Sequence, residues 1–285
     1  MMRFESTRTL TAVALLLITA CLVSGCGQSQ EDPLRKYKEQ VHSKSGAKAA
    51  ILALGGEFQS NGLLELQGPE ITDAVMPHLK WFKDTKFLVL ANTKITQAGL
   101  KHLRGFRKLE LLALDGTDVG EDALRAIGGL TSLERLQLSS TQITDAGLEH
   151  LKGLTGLWGL ELRKTGITDA GLQHIKELTS LQDLTLVKTQ ITDAGLQHLK
   201  GLTSLTRLDI RETHIDGEGL RHLNELPNLS ILQLDDTQVT DPGLEHLKGV
   251  HSLERLTLSS DLITNAALEE LKKRLPNCTI ELDRF

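Results

Sequence analysis

The sequence predicts an α/β solenoid of stacked 24-residue coils, and three observations carry that prediction. The first is a leucine column: Leu109, Leu133, Leu157, Leu181, Leu205, Leu229 and Leu253 stand 24 residues apart. The second is a change of period inside each unit. Leu136 and Leu138 alternate as a short strand requires, whereas Leu148 and Leu151 fall at helical spacing. The third is the punctuation between them, with Thr144 where an N-cap belongs and Asp145 in the first helical turn. Leu133, Leu136, Leu138, Ile143, Leu148, Leu151 and Leu154 then all point between coils. No single coil can bury that set, so stacking is obligatory and stability is roughly a sum of neighbour interfaces.

Degenerate units starting at Thr85 and Asn61 extend the series backward, giving nine units over residues 61–276. The unit LERLQLSSTQITDAGLEHLKGLTG at 133–156 resembles the leucine-rich repeat, in particular the cysteine-containing type and its bacterial relatives. Thr93, Thr117, Thr141, Thr165, Thr189, Thr213 and Thr237 stand where that family places Asn or Cys, and Pro69 and Asp261 break the column at its ends. The resemblance implies a curved horseshoe, with a parallel β-sheet on the concave face and short helices on the convex face. It also implies a protein-binding role. In the family the Asn amide satisfies backbone groups of adjacent coils; a threonine hydroxyl has one donor and two lone pairs, so it serves fewer partners. The column is read as structural.

The segments before and after the repeats follow in order. Arg3 and Arg8 precede an apolar run over residues 10–23, then Ser24, Gly25 and Cys26, which is the pattern of a secretory signal. The run falls short of the ~20 apolar residues a spanning helix needs. Val23-Ser24-Gly25-Cys26 resembles the bacterial lipobox, which implies cleavage after residue 25 and lipidation of Cys26. Ile18-Thr19-Ala20-Cys21 fits the same pattern; Cys26 is preferred because a cut at Cys21 would leave Leu22 and Val23 exposed at the new terminus. An ordinary signal peptide with a coincidental cysteine is the alternative. Residues 26–46 read as a polar, lipid-attached tether with a short helix over 33–41, and residues 47–60 as an N-terminal cap. Within the cap, residues 47–54 form a helix stopped by Gly55-Gly56, and Glu57-Phe58-Gln59 pair with residues 63–66 across a Ser60-Asn61-Gly62 turn. Residues 277–285 form the C-terminal cap; from Leu275 through Cys278, Ile280 and Leu282 the pattern continues with one residue inserted. Cys278 takes a core leucine's slot, which predicts a buried, inert thiol.

Composition narrows the function. A net charge of −5 gives no electrostatic reason to expect nucleic acid as a partner. The three cysteines, two of them in the first 26 residues, provide no disulfide framework. No Gly-rich phosphate loop, HExxH, paired CxxC or GxSxG occurs. Ser45 and Lys48 spell S-x-x-K, but in the tether and without companion motifs. His78, His102, His150, His174, His198, His222 and His246 share one repeat position on the convex side, interrupted by Ala126. Each coil offers a single histidine where a closed metal site needs three or four ligands, so the reading is no metal and no cofactor.

The concave face is the expected working surface, because strand residues alternating with the inward leucines point onto it. Its N-terminal coils show Leu63, Phe87, Val89, Leu111 and Ala113, apolar where a solvated sheet is polar. The middle shows Arg135, Gln137, Glu161, Arg163 and Lys164, and later coils Asp183, Arg207, Asp209, Arg211, Glu212, Ile231, Gln233, Asp235 and Asp236. The apolar cluster is either a docking patch anchored by Phe87 or a surface covered by residues 47–60. The candidate protein-binding set is Phe87, Val89, Leu111, Arg135, Glu161, Arg163, Arg207, Asp209 and Arg211. The expected function is a non-enzymatic module that binds an unidentified protein partner. Its N-terminal lipid holds it in the membrane of the bacterial cell envelope, on the periplasmic or outer-membrane side. A structural envelope component without a dedicated ligand is the alternative.

Overall fold

A computed structural model describes residues 42–259 and 261–283. The lipobox, Cys21, Cys26 and the expected helix at 33–41 lie outside the described residues. Among the described residues eleven strands form one sheet in chain order: β1 (Glu57–Phe58), β2 (Leu63–Glu65), β3 (Phe87–Val89), β4 (Leu111–Ala113), β5 (Arg135–Gln137), β6 (Gly159–Glu161), β7 (Asp183–Thr185), β8 (Arg207–Asp209), β9 (Ile231–Leu234), β10 (Arg255–Ser259) and β11 (Thr279–Asp283). From β2 onward every neighbouring pair is parallel, as in Leu112↔Leu136 and Leu184↔Leu208. The connections return through short helices: α1 (Lys44–Ala53), α2 (Gln97–Leu100), α3 (Glu121–Ile127), α4 (Asp145–Leu148), α5 (Asp169–Ile175), α6 (Asp241–Glu245) and α7 (Asn265–Arg274), together with 3-10 turns.

The leucines explain the stacking. All seven inward positions of the unit at 133–156 are fully buried, and one continuous apolar core runs from Ala47 to Leu275. Burying a leucine side chain contributes roughly 1.5–3 kcal/mol, and here that burial exists only between neighbouring coils.

At the N-terminal end α1 closes the core with Ala47, Ala50 and Ile51. It starts at Lys44, three residues earlier than the sequence suggests, because the Ser43 hydroxyl caps it by accepting from the Gly46 N–H at 3.1 Å. Ser45 and Lys48 therefore sit on this helix and not in a tether. β1 pairs antiparallel with β2, placing Phe58 opposite the inward Leu64 and Glu57 opposite Glu65. At the other end β11 pairs with β10 at a 24-residue offset, Leu256↔Ile280 and Leu258↔Leu282, so the inserted residue is absorbed before the strand begins. Cys278 is half buried rather than buried, and that partial burial still pushes its thiol up.

Two polar columns divide the work between and within coils. Each column threonine acts inside its own coil: Thr141 Oγ1 donates to the Leu138 carbonyl at 2.6 Å, and Thr93, Thr165, Thr189 and Thr213 repeat the bond three residues back. The link between coils comes from the helix start. Asp145 accepts from the backbone N–H of Thr168 at 2.8 Å and from its hydroxyl at 2.6 Å. Asp73–Thr96, Asp169–Thr192 and Asp241–Thr264 repeat this carboxylate clamp, and Asp193 makes a variant of it with the N–H groups of Asp216, Gly217 and Gly219. The clamp lapses where Gln97, Glu121 or Gly217 replaces the aspartate. Thr144, following Glu121, begins α4 without a side-chain cap bond.

The clamp brings the Asp145 carboxylate against the next coil so closely that a Cβ on Gly171 would overlap it. Gly171→Ala is expected to cost about 1–3 kcal/mol by overpacking. Gly153→Ala, whose Cβ would meet only the Gly128 carbonyl at 3.8 Å, is expected to stay within about 0.5 kcal/mol. Urea unfolding midpoints of the two variants check the contrast.

Candidate functional site

Register places two rows of side chains on the concave sheet, one through Phe87, Leu111 and Arg135 and one through Val89, Ala113 and Gln137. Along these rows the face divides into three zones.

The first zone is apolar. Leu63, Phe87 and Leu111 stand side by side in register, with Val89 and Ala113 beside them. Ala113 is buried and the others are half buried. The cap residues described take the end position: α1 packs on the 3-10 helix Asp73–Phe82, and Phe58 meets Phe82 at 4.8 Å between ring centroids.

The second zone is a self-satisfied knot. Gly159 occupies a concave position where a Cβ would stand 3.1 Å from Arg135 Cγ, so its missing side chain lets Arg135 lie across the sheet. The Arg135 guanidinium reaches Glu161 and lies 5.3 Å from the Trp158 ring centroid, while Gln137 Nε2 donates to the same Glu161 oxygen at 2.8 Å. Arg135 and Glu161 thus engage each other, which reduces what either offers a partner. Beside the knot, Asp183 Oδ1 is buried without a hydrogen bond among the described residues, its nearest cation being Arg207 Nε at 4.0 Å. Burial pushes this carboxyl above the ordinary range, against the pull of Arg207 and Arg135.

The third zone is a polar cleft of about 360 Å³ lined by Arg163, Val187, Arg211, Glu212, Gln233, Asp235, Asp236, Thr257, Glu281 and Leu282. Asp209, almost wholly buried, accepts from Arg211 Nε and Nη2 at 2.8 Å each. This fork locks the guanidinium and raises its already high pKa. Glu212 holds Lys188 at 3.1 Å and Arg163 at 3.9 Å; the Lys188 bond keeps its carboxyl below the usual range. Asp235 accepts from the Thr257 hydroxyl, and Arg207 Nη2 donates to Gln233 at 2.8 Å. Just beyond the ends of β6 to β9 the chain takes a left-handed residue, Lys164, Lys188, Glu212 or Asp236, with φ between 53° and 58°. That conformation costs roughly 1–2 kcal/mol for a residue with a Cβ. It turns each coil sharply off the sheet, and in the last two of these turns it sets Glu212 and Asp236 on the lining of the cleft.

Of the residues singled out in the sequence, Arg163 and Arg211 line this cleft, with Asp209 beneath Arg211; Arg207 lies on the neighbouring strand row. Arg135 and Glu161 form the knot, and Phe87, Val89 and Leu111 form the apolar zone. Lys188, Thr257 and Glu281 were missed. Continuing the strand register by one further step of 24 from Gln233 reaches Thr257 and then Glu281. On the convex side His102 and His222 have their pKa lowered, chiefly by burial. Among the described residues no three His, Cys, Asp or Glu side chains come together as metal ligands, and no helix is long and apolar enough to cross a membrane.

Strand, clamped turn and short helix, repeated in register behind a parallel sheet, define the leucine-rich-repeat solenoid, and that is the fold of this chain. The family described as Leucine Rich repeat matches residues 129–152 and 201–223. Among solved structures, the chain is similar to internalin C2 of Listeria monocytogenes. The two are 25% identical with a TM-score of 0.60, over 80% of this chain and 92% of that one. It is also similar to an internalin designated inlF of the same organism, at 17% identity and a TM-score of 0.46, over 90% and 95%. No curated protein sequence matches the chain.

The raised carboxyl of Asp183 gives a signed prediction. Between the unfolded carboxylate pKa near 3.9 and the higher folded value, the native state binds more protons than the unfolded one, so this group's contribution falls as pH rises through that window. Asp183→Asn is therefore expected to gain stability relative to the parent at pH 7 and to lose that advantage below about pH 4. Urea midpoints of both proteins across that range read it out.

Proposed function

We propose that the chain is a non-enzymatic protein-binding module whose concave face meets a protein partner. The observation that carries this reading is the division of that face. A contiguous apolar zone and an open charged cleft share one rigid sheet, a combination that supplies both area and charge-coded specificity. The leucine-rich-repeat fold supports the binding reading in general, while the side chains decide what is bound. Presentation at the bacterial cell envelope is part of the proposal and rests on the sequence: the apolar leader and the lipobox at Cys26. The partner would meet an arc held in the membrane by lipid, in the periplasm or on the outer membrane.

Two experiments test this. Affinity capture from the native envelope with the full-length chain is run beside Phe87→Asp and Arg163→Glu, each first shown to be folded, and beside the convex-face control Lys152→Glu. A partner retained by the control and at least tenfold depleted with either concave variant supports the module. Capture indifferent to all three variants supports a structural envelope component instead. Separately, Cys26→Ser is expected to move the chain from the membrane to the soluble fraction, with Cys21→Ser leaving it membrane-bound. The reverse pattern would transfer the anchor to Cys21.

A further inference from the structure

Charge is distributed very unevenly along the solenoid. Residues 42–108 carry ten Lys and Arg against five Asp and Glu, net +5, whereas residues 109–285 carry 17 against 28, net −11. The molecule is thus a long body with a basic N-terminal end and an acidic remainder. At the basic end, Lys44, Lys48 and Lys80 lie over the rings of Phe82, Phe58 and Trp81 at 5.9, 5.1 and 5.4 Å from the centroids. None of these lysines, nor Lys83, makes an ion pair among the described residues, unlike Lys86, Lys108, Lys188 and Lys200 further along. Of the three large apolar side chains most exposed among the described residues, two are here: Leu52 at 50% on α1 and Trp81 at 36% on the 3-10 helix that α1 packs against.

From this we infer that the N-terminal end of the solenoid docks on an anionic lipid bilayer, with Trp81 and Leu52 entering the interfacial region and Lys44, Lys48, Lys80 and Lys83 meeting phosphate headgroups. A polyanion such as a nucleic acid would satisfy the lysines but gives no environment for Leu52. Tryptophan belongs at the headgroup level, and lysine stems cover apolar surface while their heads stay in water. The acidic remainder is repelled by the same surface, so docking stands the arc away from the membrane. The described chain enters the fold at this end, and the 17 residues from Cys26 to His42 reach at most about 55 Å. The inference rests on the proposed anchoring only for the nearness of a bilayer.

The test follows Trp81 in the full-length chain, with Trp158→Phe removing the other tryptophan. Vesicles of phosphatidylcholine alone and with 30% phosphatidylglycerol are prepared with brominated lipids, which quench tryptophan on contact. Flotation reports the anchor, and quenching reports the docked end, so the two readings fail separately. Quenching of Trp81 is expected on the anionic vesicles and not on the neutral ones. It is expected to be lost in high salt and in a Lys44→Gln, Lys48→Gln, Lys80→Gln, Lys83→Gln variant. Near a charged surface each lysine contributes roughly fivefold to partitioning, so the quadruple variant should bind several hundredfold more weakly. A Trp81→Phe chain, reporting from Trp158, should show no quenching. The inference is overturned by a Trp81 that stays unquenched on floated anionic vesicles, or is quenched equally on neutral ones. It is also overturned by a Trp81 already shielded from iodide before lipid is added, which would mean that another part of the chain covers it.

Discussion

Every other feature of this chain follows from the fact that one coil cannot bury its own leucines. Leu136, Leu148 and their equivalents leave water only when the next coil arrives in register, so the spacing of 24 is enforced by packing at each step. A shared register also fixes where polar atoms fall. Asp145 lands beside the start of the next helix, and only glycine fits at position 171 beneath it. The threonine column completes each turn internally, leaving the gaps between coils to leucine, the backbone ladder and the aspartate clamps. Core, clamp and glycine columns are one solution to one constraint.

Because the interior is committed to that repetition, variation is confined to side chains that face away from it. The concave rows change from Leu63, Phe87 and Leu111 to Arg135 and Gly159, then to Asp183 and Arg207, without disturbing the register. Neighbouring strands hold these residues about 4.8 Å apart, so these side chains form a nearly rigid array. Much of the array is already spoken for: Arg135 holds Glu161, and Arg211 holds the buried Asp209. Arg163, Asp236 and the half-buried Phe87 are less committed within the chain.

The fold was legible in the sequence because burial imprints a period. The inward leucines, the strand at Leu136 and the helix start at Thr144 could all be placed from spacing alone. What escaped was any property that depends on which atoms meet across the gap between coils. The Thr-Asp pair reads as an N-cap and an acidic first turn in a single unit, and nothing in one unit says that Asp145 serves Thr168 in the next. Concave candidates were identifiable as a list, but their sorting into a knot, an apolar zone and a cleft depends on Gly159 allowing Arg135 to cross and on left-handed turns at Lys188 and Glu212.

The lapses in the clamp column carry a mechanical consequence. Where Gln97, Glu121 and Gly217 replace aspartate, the convex side of the junction lacks the two short carboxylate bonds that tie its neighbours. The solenoid is therefore a spring of unequal stiffness. A run of tightly coupled coils from residue 133 to 228 is joined on either side by more compliant junctions. Tension applied along the axis is absorbed first at those junctions, and the charged cleft bridges one of them, between the coils that carry Arg211 and Asp235.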